Sequence, residues 1–132
     1  MDIFDMIMLG MFSEPESGFE EIRKLDRLLT EADIPHEFEP HLAGGYRLTY
    51  YGPEGRPKAD PGVLRGFGVG AVCSAIDIPG SYGHERGLIE IHGLITKEEY
   101  EKTHDTVLGD LTAEDVFARI QKHWTEATKE NP

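Results

Sequence analysis

The stretch Val69-Gly70-Ala71-Val72-Cys73-Ser74-Ala75-Ile76-Asp77-Ile78, then Pro79-Gly80-Ser81-Tyr82-Gly83-His84-Glu85-Arg86-Gly87, then Leu88-Ile89-Glu90-Ile91-His92-Gly93-Leu94-Ile95, decides the fold. Its outer parts are β-rich runs too apolar to be solvated on both faces, and each reads as a buried strand. They are expected to pair. The middle part encloses hydroxyl, phenol, imidazole, carboxylate and guanidinium groups between glycines, a polar loop held at the mouth of a strand. Loops fixed to rigid strands commonly carry binding groups, but these residue types alone specify no reaction class.

Upstream, His36, Phe38 and Pro40 alternate with Glu37 and Glu39. After Gly44-Gly45, Tyr46, Leu48 and Tyr50 alternate with Arg47, Thr49 and Tyr51, so the segment reads as strand, turn, strand. Residues 52–62 hold six glycines and prolines and form a loop. Helices flank this block. Residues 2–12 carry apolar residues at four-residue spacing, a short helix with little polar surface. Ser17 and Glu20 have the spacing of a capping box ahead of Phe19, Ile22, Leu25, Leu28, Leu29 and Ala32, which places a helix over 18–32. Thr96 with Glu99 opens an acidic helix through His104. Thr112 with Asp115 opens the last one, whose stripe of Val116, Phe117, Ile120 and Trp124 docks on the core.

The order α-α-β-β-β-β-α-α predicts a single α+β domain over residues 1–132: a four-stranded mixed or antiparallel sheet, flanked by N- and C-terminal helices and covered on one face by the helices of residues 18–32 and Trp124. A chain of 132 residues buries roughly two-thirds of its unfolded surface without disulfides or a structural metal. The open sheet edges and the Met-rich first helix predict self-association, with a dimer as the default.

The chain holds 25 acids against 13 Lys and Arg, a net charge of −12. This balance disfavours stable nucleic-acid binding and anionic membranes, and favours solubility and basic partners. Met1 to Leu9 carries two acids where an export signal carries bases, and Gly10 cuts the apolar run short, so neither export nor a membrane span is expected. The single cysteine, Cys73, lies among small apolar residues and reads as a buried structural thiol, in keeping with a reducing cytoplasm.

Between residues 47 and 65 the balance inverts, with Arg47, Arg56, Lys58 and Arg65 facing only Glu54 and Asp60. Tyr46, Tyr50, Tyr51 and Phe67 lie in or beside this segment, and aromatic faces near guanidinium forks are the chemistry that holds a base and a phosphate. The same residues also suit a hairpin with solvated arginines and cross-strand tyrosine packing. Taken as a site, Arg47, Arg56, Lys58 and Arg65 pair with phosphate, Tyr50 or Phe67 stacks a base, and Ser81, Tyr82, His84 and Arg86 close it. The glycines at 62, 66, 68 and 70 precede a strand and not a helix, which excludes a P-loop or dinucleotide fingerprint. His84-Glu85 lacks the second histidine of a zinc-protease motif, since position 88 is leucine. Glu90 and His92 share one strand face, where a metal or proton shuttle joined by His84 and Glu85 is the enzymatic alternative. Ser74 and Ser81 stand in no nucleophile elbow.

Residues 81–96, SYGHERGLIEIHGLIT, with 109–117, GDLTAEDVF, and His123-Trp124 resemble a type of small protein carried by prophages of Gram-positive bacteria. Residues 1–70 carry no such likeness. The resemblance implies a phage-related protein in the host bacterial cytoplasm and assigns no catalytic residue, metal or cofactor. By analogy, the resemblance implies a protein of the sort that often disarms a host system, by sequestering a nucleotide signal or by gripping a basic host protein. The leading expectation is therefore a non-enzymatic counter-defence protein that binds a small anionic, nucleotide-type ligand, held between protomers. An acidic inhibitor of a host defence protein, acting through residues 98–115, and a metal-assisted phosphoester hydrolase are the alternatives.

Overall fold

The computed structural model describes residues 19–57 and 70–129. Along the chain run α1 (Glu20–Glu31), β1 (Glu37–Pro40), β2 (Tyr46–Tyr50), β3 (Cys73–Asp77), a single 3₁₀ turn (His84–Arg86), β4 (Ile89–His92), α2 (Lys97–Thr103), β5 (Val107–Leu111) and α3 (Ala113–Thr128). The strands form one sheet in the order β1-β2-β3-β4-β5. Every neighbouring pair is antiparallel. This is a single-domain α+β layout, with five strands where four were expected. The expected helix over residues 2–12 lies outside the described residues.

The pairing of β3 with β4 sets Ser74 against His92 and Ala75 against Ile91. On β2, Tyr46, Leu48 and Tyr50 oppose Asp77, Ala75 and Cys73, which fixes one face of the sheet as the core face. Ile22, Leu25 and Leu29 of α1 and Ala113, Val116 and Ile120 of α3 are buried with Leu48, Ala75, Ile89 and Ile91 in one cluster. Each fully buried Leu or Ile contributes about 1.5–3 kcal/mol relative to exposure. The two helices meet over it: Glu21 Oε1 accepts from the Ala113 amide at 2.7 Å, and Lys24 pairs with Glu114. Arg47, Thr49, Ser74, Ile76, Glu90 and His92 alternate onto the second face.

Both downstream capping boxes are formed. The Thr96 hydroxyl accepts from the Glu99 amide at 3.1 Å while Glu99 returns a bond to the Thr96 amide at 2.9 Å. Thr112 and Asp115 do the same at 3.2 and 3.1 Å. At α1 the N-cap is Phe19, which makes no side-chain cap bond, and the first-turn acids Glu20 and Glu21 meet the helix dipole instead. Ser17, the expected cap, lies outside the described residues.

The fifth strand follows α2 and closes the edge beside β4 with a register shift between Ile89 and Ile91. Its backbone explains why alternation does not reveal it. Asp110 takes a left-handed φ of 59°, and a side chain at Gly109 would put a Cβ 2.2 Å from Tyr82 Cβ, so the strand carries a bulge and a close approach at its centre. Among the described residues no helix is long and apolar enough to cross a membrane.

Candidate functional site

The register of β2 on β3 separates the two halves of the expected site. Tyr46 lies beside Asp77, so the loop after β3 leaves the sheet at the start of β2, while the segment after Tyr50 leaves at the opposite end. Residues 51–57 and 78–88 therefore do not share one cleft. The physical reason is the antiparallel hairpin itself, which sends consecutive connections to opposite ends of the sheet.

Each residue then has its own surroundings. Arg56 forks onto Glu37, with Nε to Oε2 at 2.9 Å and Nη2 to Oε1 at 2.6 Å, and its guanidinium lies 5.5 Å from the Tyr51 ring centroid. This pairing holds the Glu37 carboxyl below its usual range. Tyr50, expected to stack a base, has no exposed surface, and its Oη lies 2.8 Å from His123 Nδ1. Burial pushes its phenol up to about 12. Ser81 is buried, accepts from the Ile78 amide at 3.1 Å and donates to the Ile78 carbonyl at 2.8 Å, which staples the turn. Tyr82 is exposed, and its amide donates to Glu90 Oε1 at 2.9 Å. Arg86 pairs with Asp110 on β5. Lys58, Arg65 and Phe67 lie outside the described residues.

His84 is placed by backbone geometry. Gly83 and Gly87, with left-handed φ of 93° and 70°, bracket the 3₁₀ turn that carries it. Its Nδ1 reaches Asp77 Oδ1 at 2.6 Å. Asp77 faces the core, whereas Glu90 and His92 belong to the second face, so His84 and the Glu90–His92 pair do not converge. Among the described residues no group of three or more His, Cys, Asp or Glu side chains is placed to hold a metal ion.

Two of the expected residues line grooves of similar size: Arg56, held by Glu37, borders one of about 640 Å³ beside Tyr51 and His123, and Arg47 borders another. A cavity of about 650 Å³ runs over the second face at the His92 end of β4, lined by Arg47, Ser74, His92, Lys97, Tyr100 and Thr106 among others. Arg47 reaches it from β2, where its Nη2 lies 3.2 Å from His41 Nε2. Lys97 and Tyr100 come from α2, which is held by its capping box and by the fork of Arg119 onto Glu99, at 2.8 Å for Nη1 to Oε1 and 2.5 Å for Nη2 to Oε2. Tyr100 is 47% exposed. Asp105, the acid in the lining, is engaged through Oδ1 by the Val107 amide at 3.1 Å.

Two cations, an exposed phenol ring, an imidazole and hydroxyls thus border one opening. Sequence reasoning reached Arg47 but missed Lys97, Tyr100 and Ser74, because α2 read as an acidic helix and no periodicity tells which strand face a following helix will border. Comparison with known protein families, with curated proteins and with solved structures gives no match.

Proposed function

We propose that the protein is a non-enzymatic binding protein, phage-derived and counter-defensive in role, that sequesters a small anionic ligand of nucleotide type in the second-face groove. One observation carries this reading: Arg47 and Lys97 line the same opening as the exposed ring of Tyr100, in a chain whose net charge is −12. Cations converging against so strong an opposite balance fit an anion, and a ring beside them fits a stacked base. Arg47 and Lys97 pair with phosphate, Tyr100 stacks, and Ser74 and Thr106 supply hydroxyl contacts. Cytoplasmic placement and self-association belong to the same proposal, the second checked by sedimentation, where a monomer at high concentration counts against it.

Thermal-shift screening against linear and cyclic nucleotides tests it. A ligand at a hundred times its dissociation constant adds about 2.7 kcal/mol of stability. No shift with any nucleotide, or a shift untouched by Arg47→Ala, rejects the groove.

The inhibitor reading draws on exposed acids at Glu98, Glu101 and Asp115. It is weaker because most acids of this region are already engaged: Glu99 by Arg119, Glu114 by Lys24, Asp110 by Arg86, Asp115 by the Thr112 amide and Glu101 by Lys97 at 4.0 Å. A salt-sensitive complex with a basic host protein in a pull-down supports it, and its absence at low salt removes it.

A further inference from the structure

Asp77 stands on the core face of β3 with no exposed surface. Its Oδ1 meets His84 Nδ1 at 2.6 Å, and its Oδ2, equally buried, makes no hydrogen bond among the described residues. A carboxylate buried with one oxygen unsatisfied destabilises the fold, and an apolar side chain of similar size would serve packing better. Burial pushes its carboxyl above the usual range against the opposing pull of His84, and Glu20 at the start of α1 adds to the rise. The His84 side chain is 27% exposed and its Nε2 makes no hydrogen bond among the described residues. The imidazole is set by two left-handed glycines on a turn stapled at Ser81, and its ring centroid lies 5.9 Å from that of Phe19. Phe19 in turn meets Tyr46 edge-on at 5.5 Å.

We propose that Asp77 and His84 form a second functional site, a carboxylate-held imidazole whose Nε2 accepts a hydrogen bond from a hydroxyl-bearing ligand seated against the Phe19 and Tyr46 rings. Asp77 accepts the Nδ1 proton and fixes both tautomer and ring orientation, which leaves the Nε2 lone pair as the acceptor. The imidazole thus donates through Nδ1 to Asp77 and accepts through Nε2 from the ligand O–H. Asp77 is the positioning residue. The site is separate from the groove, because Asp77 faces the core and the groove lies on the second face, so either proposal stands without the other.

The probe is diethyl pyrocarbonate on the full chain, with modification at each histidine read by peptide mass. The Nε2 lone pair attacks a carbonyl carbon and the C–O bond to ethyl carbonate breaks. The ethyl carbonate takes the Nδ1 proton and decomposes to carbon dioxide and ethanol. His84 is expected to react faster than free N-acetylhistidine, to be protected by phenol, and to slow about tenfold in Asp77→Asn, which keeps the shape and removes the charge. Circular dichroism checks that the variant is folded. If Asp77→Asn does not fold, nitrogen-15 NMR of the wild type decides, since a neutral His84 carrying its proton on Nδ1 supports the site and one carrying it on Nε2 overturns it. Reaction no faster than N-acetylhistidine, no protection by phenol, or an unchanged rate in a folded Asp77→Asn also overturns it.

Discussion

Tyr50 Oη and His123 Nδ1 lie 2.8 Å apart across 73 residues of sequence, and the bond ties β2 to the second half of α3. The two rings also meet edge-on at 5.4 Å. The contact turns a residue that reads as a ligand-stacking aromatic into part of the core, and it adds one part-buried hydrogen bond to the apolar docking of α3.

Tyr50→Phe is therefore expected to lower stability by about 0.5–1.5 kcal/mol, the net value of one hydrogen bond, without changing the circular dichroism spectrum. Chemical denaturation measures it. A loss near zero would show that water replaces the hydroxyl at His123.

The same burial predicts an alkaline limit. Tyr50 is raised from 10.0 to about 12, and the buried Cys73 thiol from 9.0 to about 12, both chiefly by burial. The folded protein holds these protons where the unfolded chain releases them. The contribution is complete below the unfolded values and is lost as pH rises through 9 to 12. Melting temperature is expected to fall over that window, with a shallower fall in Tyr50→Phe than in the wild type.

At the acid end the sign reverses. The Arg119 fork, first among the causes, holds Glu99 at about 2, against an ordinary 4.5. Its contribution is present above pH 4.5 and is lost as pH falls toward 2. Both side chains are less than a third exposed, and a value on the order of 2 kcal/mol follows at neutral pH. Glu99→Gln is expected to lower stability by that amount at pH 7 and to converge on the wild type in strong acid. Parallel curves across the whole range would mean the pair contributes nothing.

These contacts mark where the sequence is legible. Thr96 with Glu99 and Thr112 with Asp115 are local spacings, and both formed the bonds they implied. The alternation of Tyr46, Leu48 and Tyr50 likewise reports the core face, and it already conflicted with giving Tyr50 a ligand. Val107 to Leu111 was missed because Gly109, the left-handed Asp110 and the register shift break the two-residue period that reveals a strand. The fork of Arg56 onto Glu37 depends on β1 lying beside β2, a pairing across 19 residues that composition does not contain. Of the cations in the charge inversion between 47 and 65, the two described ones, Arg47 and Arg56, have different partners, His41 and Glu37.

Two glycines with the same backbone sign should respond differently to alanine. Gly83 has a φ of 93°, and a Cβ there would meet Asp110 Oδ1 at 2.9 Å and Leu88 Cβ at 3.0 Å. Gly55 has a φ of 74° with nothing within 4 Å. Gly55→Ala is expected to cost about 1–2 kcal/mol from the left-handed backbone alone, whereas Gly83→Ala adds the clash and displaces His84. Equal losses of stability would argue that the 3₁₀ turn relaxes around the new side chain.

The groove is tested most directly at Tyr100. It is 47% exposed, and among the described residues its ring contact is with His104, edge-on at 6.1 Å on its own helix, so its removal should leave the core intact. Stacking of one base on an aromatic side chain is worth about 1–3 kcal/mol, which predicts that Tyr100→Ala weakens nucleotide binding by about 5- to 150-fold at an unchanged melting temperature of the free protein. Arg56→Ala, at the other end of β2 and already engaged by Glu37, is expected to leave binding as it was. Isothermal titration of both variants separates the two arginine-bearing regions: loss in Arg56→Ala with retention in Tyr100→Ala would move the ligand out of the second-face groove and back to the segment after β2.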